Sequence, residues 1–179
     1  MRTAIATGLA AGLVLMAAGA AAMTMSPDPM LFQGVFAKPV VQAAALRGPG
    51  GARLAAKMVM TNNSRELLRV STTAALTLEV IDARGATVPF EGGANLGRVP
   101  HAADAVALAP GKSLTLPLSG TLRLAGRELV WRGDDGVMGA WRIDPGAGAY
   151  SLRLRYRGLD ASAWRGEGAS LPAALPLKG

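Results

Sequence analysis

The sequence predicts an all-β, immunoglobulin-like antiparallel sandwich behind an N-terminal leader. Three observations predict it. Beyond Ala52 no segment sustains a helical period, whereas short runs alternate apolar and polar residues. Turn-forming clusters separate those runs: Asn62-Asn63-Ser64, Asp82-Ala83-Arg84-Gly85, Pro110-Gly111, Gly133-Asp134-Asp135-Gly136 and Asp144-Pro145-Gly146. The clearest run, Ala149 to Arg157, places Tyr150, Leu152, Leu154 and Tyr156 on one face and Ser151, Arg153, Arg155 and Arg157 on the other.

Taken in order, the chain opens with Arg2 and then an apolar stretch from Ala4 to Ala22 that ends in Ala20-Ala21-Ala22. A positive start, an apolar middle and an Ala-x-Ala exit predict a secretory signal peptide over residues 1–22, cleaved after Ala20 or Ala22. The competing reading is an uncleaved anchor, since a spanning helix needs about 20 apolar residues. Ala and Gly dominate this stretch, and only Leu9, Leu13, Val14, Leu15 and Met16 form a strong apolar cluster.

Residues 23–51 carry Pro27, Pro29, Pro39 and Pro49 and end in Gly48-Pro49-Gly50-Gly51. Missing backbone donors and added freedom predict a flexible spacer. Within it Phe32, Val35 and Phe36 are candidates for a short strand, and Val40 to Leu46 for a strand or a helical turn. The sandwich is expected over 52–179. Leu54, Ala56, Met58 and Met60 share one strand face, with Lys57 and Thr61 opposite. A turn at Asn62-Asn63-Ser64 ends that strand, because Asn and Ser side chains bond nearby backbone.

Further strands are expected at Leu76 to Ile81, Ala86 to Phe90, Ser113 to Leu118, Leu122 to Trp131 with an interruption at Gly126, and Gly139 to Ile143. Ser170 to Leu177 closes the domain, and Pro172 and Pro176 restrict it to an edge.

With 179 residues, the chain holds one ordinary domain after the leader. A domain of about 150 residues buries roughly 70% of its unfolded surface. The absence of Cys removes thiol catalysis, disulfide scaffolds and most structural zinc sites. A formal net charge of +7, carried mostly by Arg, attracts polyanions. The expected partner is an envelope protein or an anionic glycan or lipid. Nucleic acid is not expected outside the cytoplasm, and membrane contact is expected only if the leader is retained.

The strongest candidate site is Arg153, Arg155 and Arg157, whose period-2 spacing aligns three guanidinium forks suited to carboxylates or phosphates. The plainer reading is a solvated sheet face whose Arg stems cover apolar neighbours. The single histidine, His101, stands in a polar loop, and no Gly-x-Ser-x-Gly elbow accompanies it. Neither catalytic residues nor a cofactor are expected. Met23, Met25 and Met30 are a thin thioether set for a soft metal. Asp134-Asp135-Gly136 lacks the alternating oxygen ligands of a calcium loop.

Arg132-Gly133-Asp134 spells an adhesion tripeptide and is read as a chance match; Asn62-Asn63-Ser64 fits a glycosylation sequon, and a hairpin turn is its simpler use. Tyr150, after an acidic Gly-containing turn, is placed for a tyrosine corner. Trp131, Trp141 and Trp164 read as packing residues, since they bring the largest apolar areas available.

Four motifs in order, Asn62-Asn63-Ser64, Leu78-Glu79-Val80-Ile81-Asp82-Ala83-Arg84-Gly85, Leu108-Ala109-Pro110-Gly111-Lys112-Ser113 and Pro145-Gly146-Ala147-Gly148-Ala149-Tyr150-Ser151-Leu152, span Ala52 to about Tyr156. This layout resembles the BsuPI-type bacterial proteinase-inhibitor family. The resemblance implies a sandwich fold and inhibition through an exposed loop, for which Glu91 to Ala103 and Arg132 to Met138 are candidates. The residues by themselves predict a non-catalytic secreted or periplasmic binding or structural module of the bacterial envelope; the resemblance supplies the alternative, a proteinase inhibitor.

Overall fold

Alternation decides which side of each strand is dry. In β2 (Ala52–Asn62), Ala52, Leu54, Ala56, Met58, Met60 and Asn62 are all buried while Arg53, Ala55 and Lys57 are exposed. The computed structural model describes residues 29–37, 41–72, 75–92, 104–146, 148–158 and 163–177. Within them lie twelve strands and one short helix: β1 (Met30–Phe36), α1 (Ala43–Arg47), β2, β3 (Leu68–Ser71), β4 (Leu76–Ile81), β5 (Phe90–Glu91), β6 (Ala105–Leu108), β7 (Ser113–Ala125), β8 (Glu128–Gly133), β9 (Met138–Arg142), β10 (Tyr150–Arg157), β11 (Glu167–Ala169) and β12 (Ala173–Leu175).

The fold is all-β and sandwich-like. A six-stranded sheet runs β1-β2-β7-β8-β9-β5, with every pairing antiparallel. In the smaller sheet β10 is central: β4 pairs along one edge, and β11 and β12 share the other. A two-stranded ribbon joins β3 to β6. One hydrophobic cluster unites the inner faces, including Met58, Leu122, Leu129 and Trp141 from the large sheet and Val80, Leu152, Leu154 and Tyr156 from the small one.

Two expectations need correction. Residues 30–37 and 41–51, assigned by their prolines to a flexible spacer, belong to the folded unit. β1 pairs with β2 from Met30↔Asn62 to Phe36↔Ala56, and Val41 and Leu46 are buried in the core. Pro29 stands just before β1 and Pro49 in the turn after α1, so these prolines punctuate elements rather than loosen the chain. Gly126 does not interrupt a strand either. With φ at +61° it forms the turn between β7, which runs unbroken for 13 residues, and β8.

The expected edge position of the last strand is observed. β12 lies between Pro172 and Pro176 on the rim of the small sheet.

At the corner where β1 meets β11, Phe32, Tyr156 and Trp164 cluster with ring centroids 5.8–6.1 Å apart, Tyr156 stacked on Trp164 and Phe32 tilted against both. Gly168 permits this, because a Cβ there would lie 2.3 Å from the Phe32 ring. The buried Tyr156 hydroxyl donates to the Ser71 carbonyl at 3.2 Å, and burial pushes its pKa up to about 12.

The end of β2 is fixed by Asn62, which is fully buried. Its Nδ2 donates to the carbonyls of Glu66 (2.8 Å) and Leu108 (2.7 Å). Its Oδ1 accepts from the Ser64 N–H (2.9 Å) and the Ser64 hydroxyl (2.7 Å). Its backbone N–H donates to Lys112 O at 3.0 Å, and its carbonyl accepts from Gly111 N–H at 2.7 Å. A carboxamide offers two donors and two acceptor lone pairs on one short stem, and all four are used. The same burial keeps the sequon amide away from any glycan.

Replacing Asn62 with Ala strands the buried Leu108 carbonyl and removes the partners of the part-buried Glu66 carbonyl and Ser64 N–H. We expect a loss of about 3 kcal/mol, since each unsatisfied group costs ~1–3 kcal/mol. Asn62→Asp keeps the acceptors and loses both donors, and should destabilise to a similar degree. Urea unfolding midpoints at unchanged slope measure this; a loss below about 0.5 kcal/mol in both variants, within the range of ordinary surface substitutions, would contradict it.

Candidate functional site

Arg153, Arg155 and Arg157 share one face of β10, as their spacing predicts. The structure also shows what faces them. Arg153 Nε and Nη2 donate to Glu79 Oε2 at 2.9 and 2.6 Å. Arg155 reaches Glu79 Oε1 at 3.1 Å and Glu167 Oε2 at 2.6 Å, and Arg157 lies 3.1 Å from Glu167 Oε1. Three guanidiniums thus alternate with two carboxylates across β4, β10 and β11. The bond to Arg155 lowers the Glu167 pKa, and bonds to Glu167 and Glu79 raise that of Arg155. Register explains the pairing: Glu79 stands opposite Arg153, Glu167 stands opposite Arg157, and Arg155 lies diagonal to both. An anion arriving at this stripe meets forks already occupied by internal carboxylates.

The outer face of the large sheet carries arginines in a different state. Its cross-strand rows are Arg53–Thr121–Arg132–Met138, then Arg123–Val130–Ala140, then Ala125–Glu128–Arg142. Arg53 is paired: both Nη atoms donate to the Asp134 carboxylate, one of them at 2.6 Å, and Ser119 Oγ donates to Asp134 Oδ2 at 2.5 Å. These bonds, chiefly that from Arg53, lower the Asp134 pKa to about 2. Arg127 pairs with Asp144 at 3.0 Å. Arg123 and Arg132 are exposed, and their row neighbours are Val130, Thr121 and Met138; among the described residues neither forms an ion pair.

A cleft of about 330 Å³ opens between these two arginines. Thr121 and Val130 line its floor, and Pro49 and Gly50 form a wall. That wall is the turn closed by Gly51 N–H to Gly48 O at 3.0 Å. Gly51 has φ at +70°, and a Cβ there would lie 2.8 Å from Leu122 O, so the turn presses directly onto β7. A separate, larger groove of about 740 Å³ is lined by Arg127, Glu128, Arg142, Asp144 and Tyr150 among others.

Sequence reasoning missed this face, although a signal exists. Trp131 and Trp141 are each followed by Arg. A buried ring at one position turns the next side chain outward, and both rings are almost fully buried. What the sequence does not provide is the register that brings Arg123 beside Arg132.

The remaining candidates are placed as follows. Tyr150 makes the corner contact: its hydroxyl accepts from the Asp144 N–H at 3.0 Å. Trp131 and Trp141 are in the core, and Trp164 packs on Phe32 and Tyr156. Asp134 is held by Arg53, and Asp135 accepts from the Val137 N–H at 3.1 Å, so the adhesion-like tripeptide and the paired carboxylates serve one hairpin turn. Met30 is buried in β1. Among the described residues no group of three or more His, Asp or Glu could hold a metal ion.

The leader (1–22), Met23, Met25, His101 and positions 93–103 of the first candidate inhibitory loop lie outside the described residues. The second loop is the tight β8–β9 turn, closed by Gly133 N–H to Val137 O at 2.8 Å. No helix among the described residues is long and apolar enough to cross a membrane.

No family model matches the chain, and no curated protein matches it. Among solved structures it is similar to a FixG-related protein from Vibrio parahaemolyticus, with 12% identity and a TM-score of 0.34 over 80% of this chain and 96% of that one.

The Asp134 pair yields a pH prediction. Its folded pKa of about 2 lies below the ordinary Asp value of about 3.9, so its stabilisation is present above that value and is lost as pH falls towards 2. Carboxyl carbon shifts followed by NMR should place the Asp134 midpoint near 2 in the parent, and Arg53→Gln should move it up towards the ordinary range. An unmoved midpoint in that variant would show that Arg53 is not the cause.

Proposed function

We propose that this chain is a non-catalytic binding module of the bacterial envelope, secreted or periplasmic, that engages an anionic partner through a rigid sheet face. The observation that carries the reading is the unequal distribution of carboxylates. Glu79, Glu167, Asp82, Asp134 and Asp144 pair with Arg153, Arg155, Arg157, Arg84, Arg53 and Arg127, while Arg123 and Arg132, without an ion pair among the described residues, line a cleft. A rigid sheet is a suitable platform for such forks, because residues on strands keep their spacing better than residues on loops. The signal-peptide pattern over residues 1–22 supports the exported location. An envelope protein with an acidic surface, an anionic glycan and an anionic lipid all match this face in charge.

The test is retention of envelope material by the immobilised protein as salt rises. Binding should be strong in dilute buffer and fall steeply by physiological ionic strength, where exposed charges more than about 8 Å apart are screened. The same preparation should leave a panel of proteases uninhibited. Salt-independent capture, or stoichiometric inhibition of any protease, would replace this reading with another.

A further inference from the structure

We propose that the cleft between the Gly48–Gly51 turn, β7 and β8 is a specific site for a phosphate-type oxyanion, held by Arg123, Arg132 and Thr121. The proposal rests on the binding-module reading and names the ligand class.

Three features converge on it. First, Arg123 and Arg132 are diagonal cross-strand neighbours on one face, which sets their Cα atoms about 7–8 Å apart. That gap admits one small anion between two forked guanidiniums. Second, Thr121 sits opposite Arg132 and two residues before Arg123 on β7, and it lines the cleft. Its hydroxyl adds a neutral donor to the two charged ones. Donors from three side chains suit a tetrahedral oxyanion, with several acceptor atoms pointing different ways, better than a planar carboxylate, which one fork satisfies. Third, the cleft has a wall. The Gly48–Gly51 turn is pinned to β7 by a glycine with no room for a side chain, and at Gly50 a Cβ would meet nothing within 4 Å. The backbone therefore crowds one side and leaves the mouth open.

Nearby acids do not compete. Asp134, two residues beyond Arg132, is bonded to Arg53 and Ser119, and Glu128, diagonal to Arg123 on β8, stands opposite Arg142 and among the described residues pairs with neither Arg123 nor Arg132. Val130 faces Arg123 across the strands, and Met138 faces Arg132. By contrast, the Arg153–Arg155–Arg157 stripe already holds Glu79 and Glu167 in the positions an external anion would take. The site offers no titratable catalytic group, so it binds the anion without transforming it.

The experiment is an NMR titration of the full chain with inorganic phosphate at low ionic strength, observing the Arg Nε–H and Thr N–H signals. Saturable shifts are expected at Arg123, Arg132 and Thr121. Arg132→Gln should weaken phosphate at least about tenfold, because a charge-assisted bond is lost. Thr121→Val should weaken it severalfold at unchanged net charge. Arg65→Gln, which removes an equal charge from an exposed position elsewhere, should leave it within twofold.

Two further probes separate the sources of the anion. Glycerol phosphate binding as well as inorganic phosphate would identify an ester-borne headgroup or polymer phosphate, and binding of the free ion alone a soluble anion; either supports the site. Galacturonate binding more tightly than phosphate would overturn the tetrahedral assignment. Shifts that grow without saturation and extend equally to Arg65 and Arg165 would overturn the site itself. If the site fails while envelope capture remains salt-sensitive, the binding-module reading stands with its contact elsewhere. If capture fails while phosphate saturates the cleft, that broader reading is the one to abandon.

Discussion

The large sheet depends on the hydrogen bonds that converge on Asn62. This residue ends β2, and its side chain ties the carbonyl of Leu108, where β6 stops, to the turn at Ser64–Glu66. Its backbone clasps Gly111 and Lys112, the residues that launch β7. β7 therefore enters the sheet already aligned, with Ser113 opposite Thr61. Because side chains alternate with a period of two, a slip of one residue would invert every side chain of β7. Arg123 and Thr121 would then point into the core, and Leu122 to solvent. The geometry of the arginine face is thus set at the far end of the strand, by a carboxamide that never touches it.

The two sheets show how one residue type acquires two roles. On β10 the arginines meet Glu79 and Glu167 across the strands, and the resulting alternation of charge links β4 to β11. The more exposed pairs, those of Glu167, contribute little individually, of order 0–1 kcal/mol, while Glu79 is largely shielded from solvent. Their joint effect is positional, because each carboxylate is shared by two guanidiniums and so restrains both. On β7 and β8 the cross-strand neighbours of the arginines are Thr, Val and Met. Among the described residues no carboxylate pairs with the forks there, and both arginines are exposed. The net charge of +7 is consequently a poor guide to where an anion would settle. The local supply of carboxylates is a better one.

Much of the fold was legible from alternation and turn chemistry. β2, β4 and β10 lie where their periodicity places them, Asn62 and Ser64 bond the nearby backbone as their side chains predict, and the Tyr150 hydroxyl reaches back to Asp144. Spacing also put Arg153, Arg155 and Arg157 on one face. It left out what stands opposite, because Glu79 is more than 70 residues away along the chain from each of its two arginine partners. Local pattern encodes a residue's face, whereas its neighbours come from register. The same limit hid Arg123 and Arg132, which lie on different strands of one hairpin. The misreading of residues 30–37 and 41–51 has another cause. Prolines and glycines mark chain punctuation, and punctuation between short packed elements looks the same as punctuation in a spacer until Met30, Val41 and Leu46 are seen to be buried.

That segment also determines what the arginine face can select. A flat sheet bearing two open guanidiniums would attract any anion of suitable charge. The relief that turns attraction into shape comes from the Gly48-Pro49-Gly50-Gly51 turn, which rises beside Thr121 because Gly51 alone fits against Leu122 O at positive φ. α1 sets the turn's position by burying Leu46 in the core, while Arg47 ties the helix to the Leu177 carbonyl near the chain's end. The wall of the cleft is therefore anchored at both its helix and its strand. If the cleft takes a tetrahedral anion through Arg123, Arg132 and Thr121, this fixed turn bounds the space beside those donors.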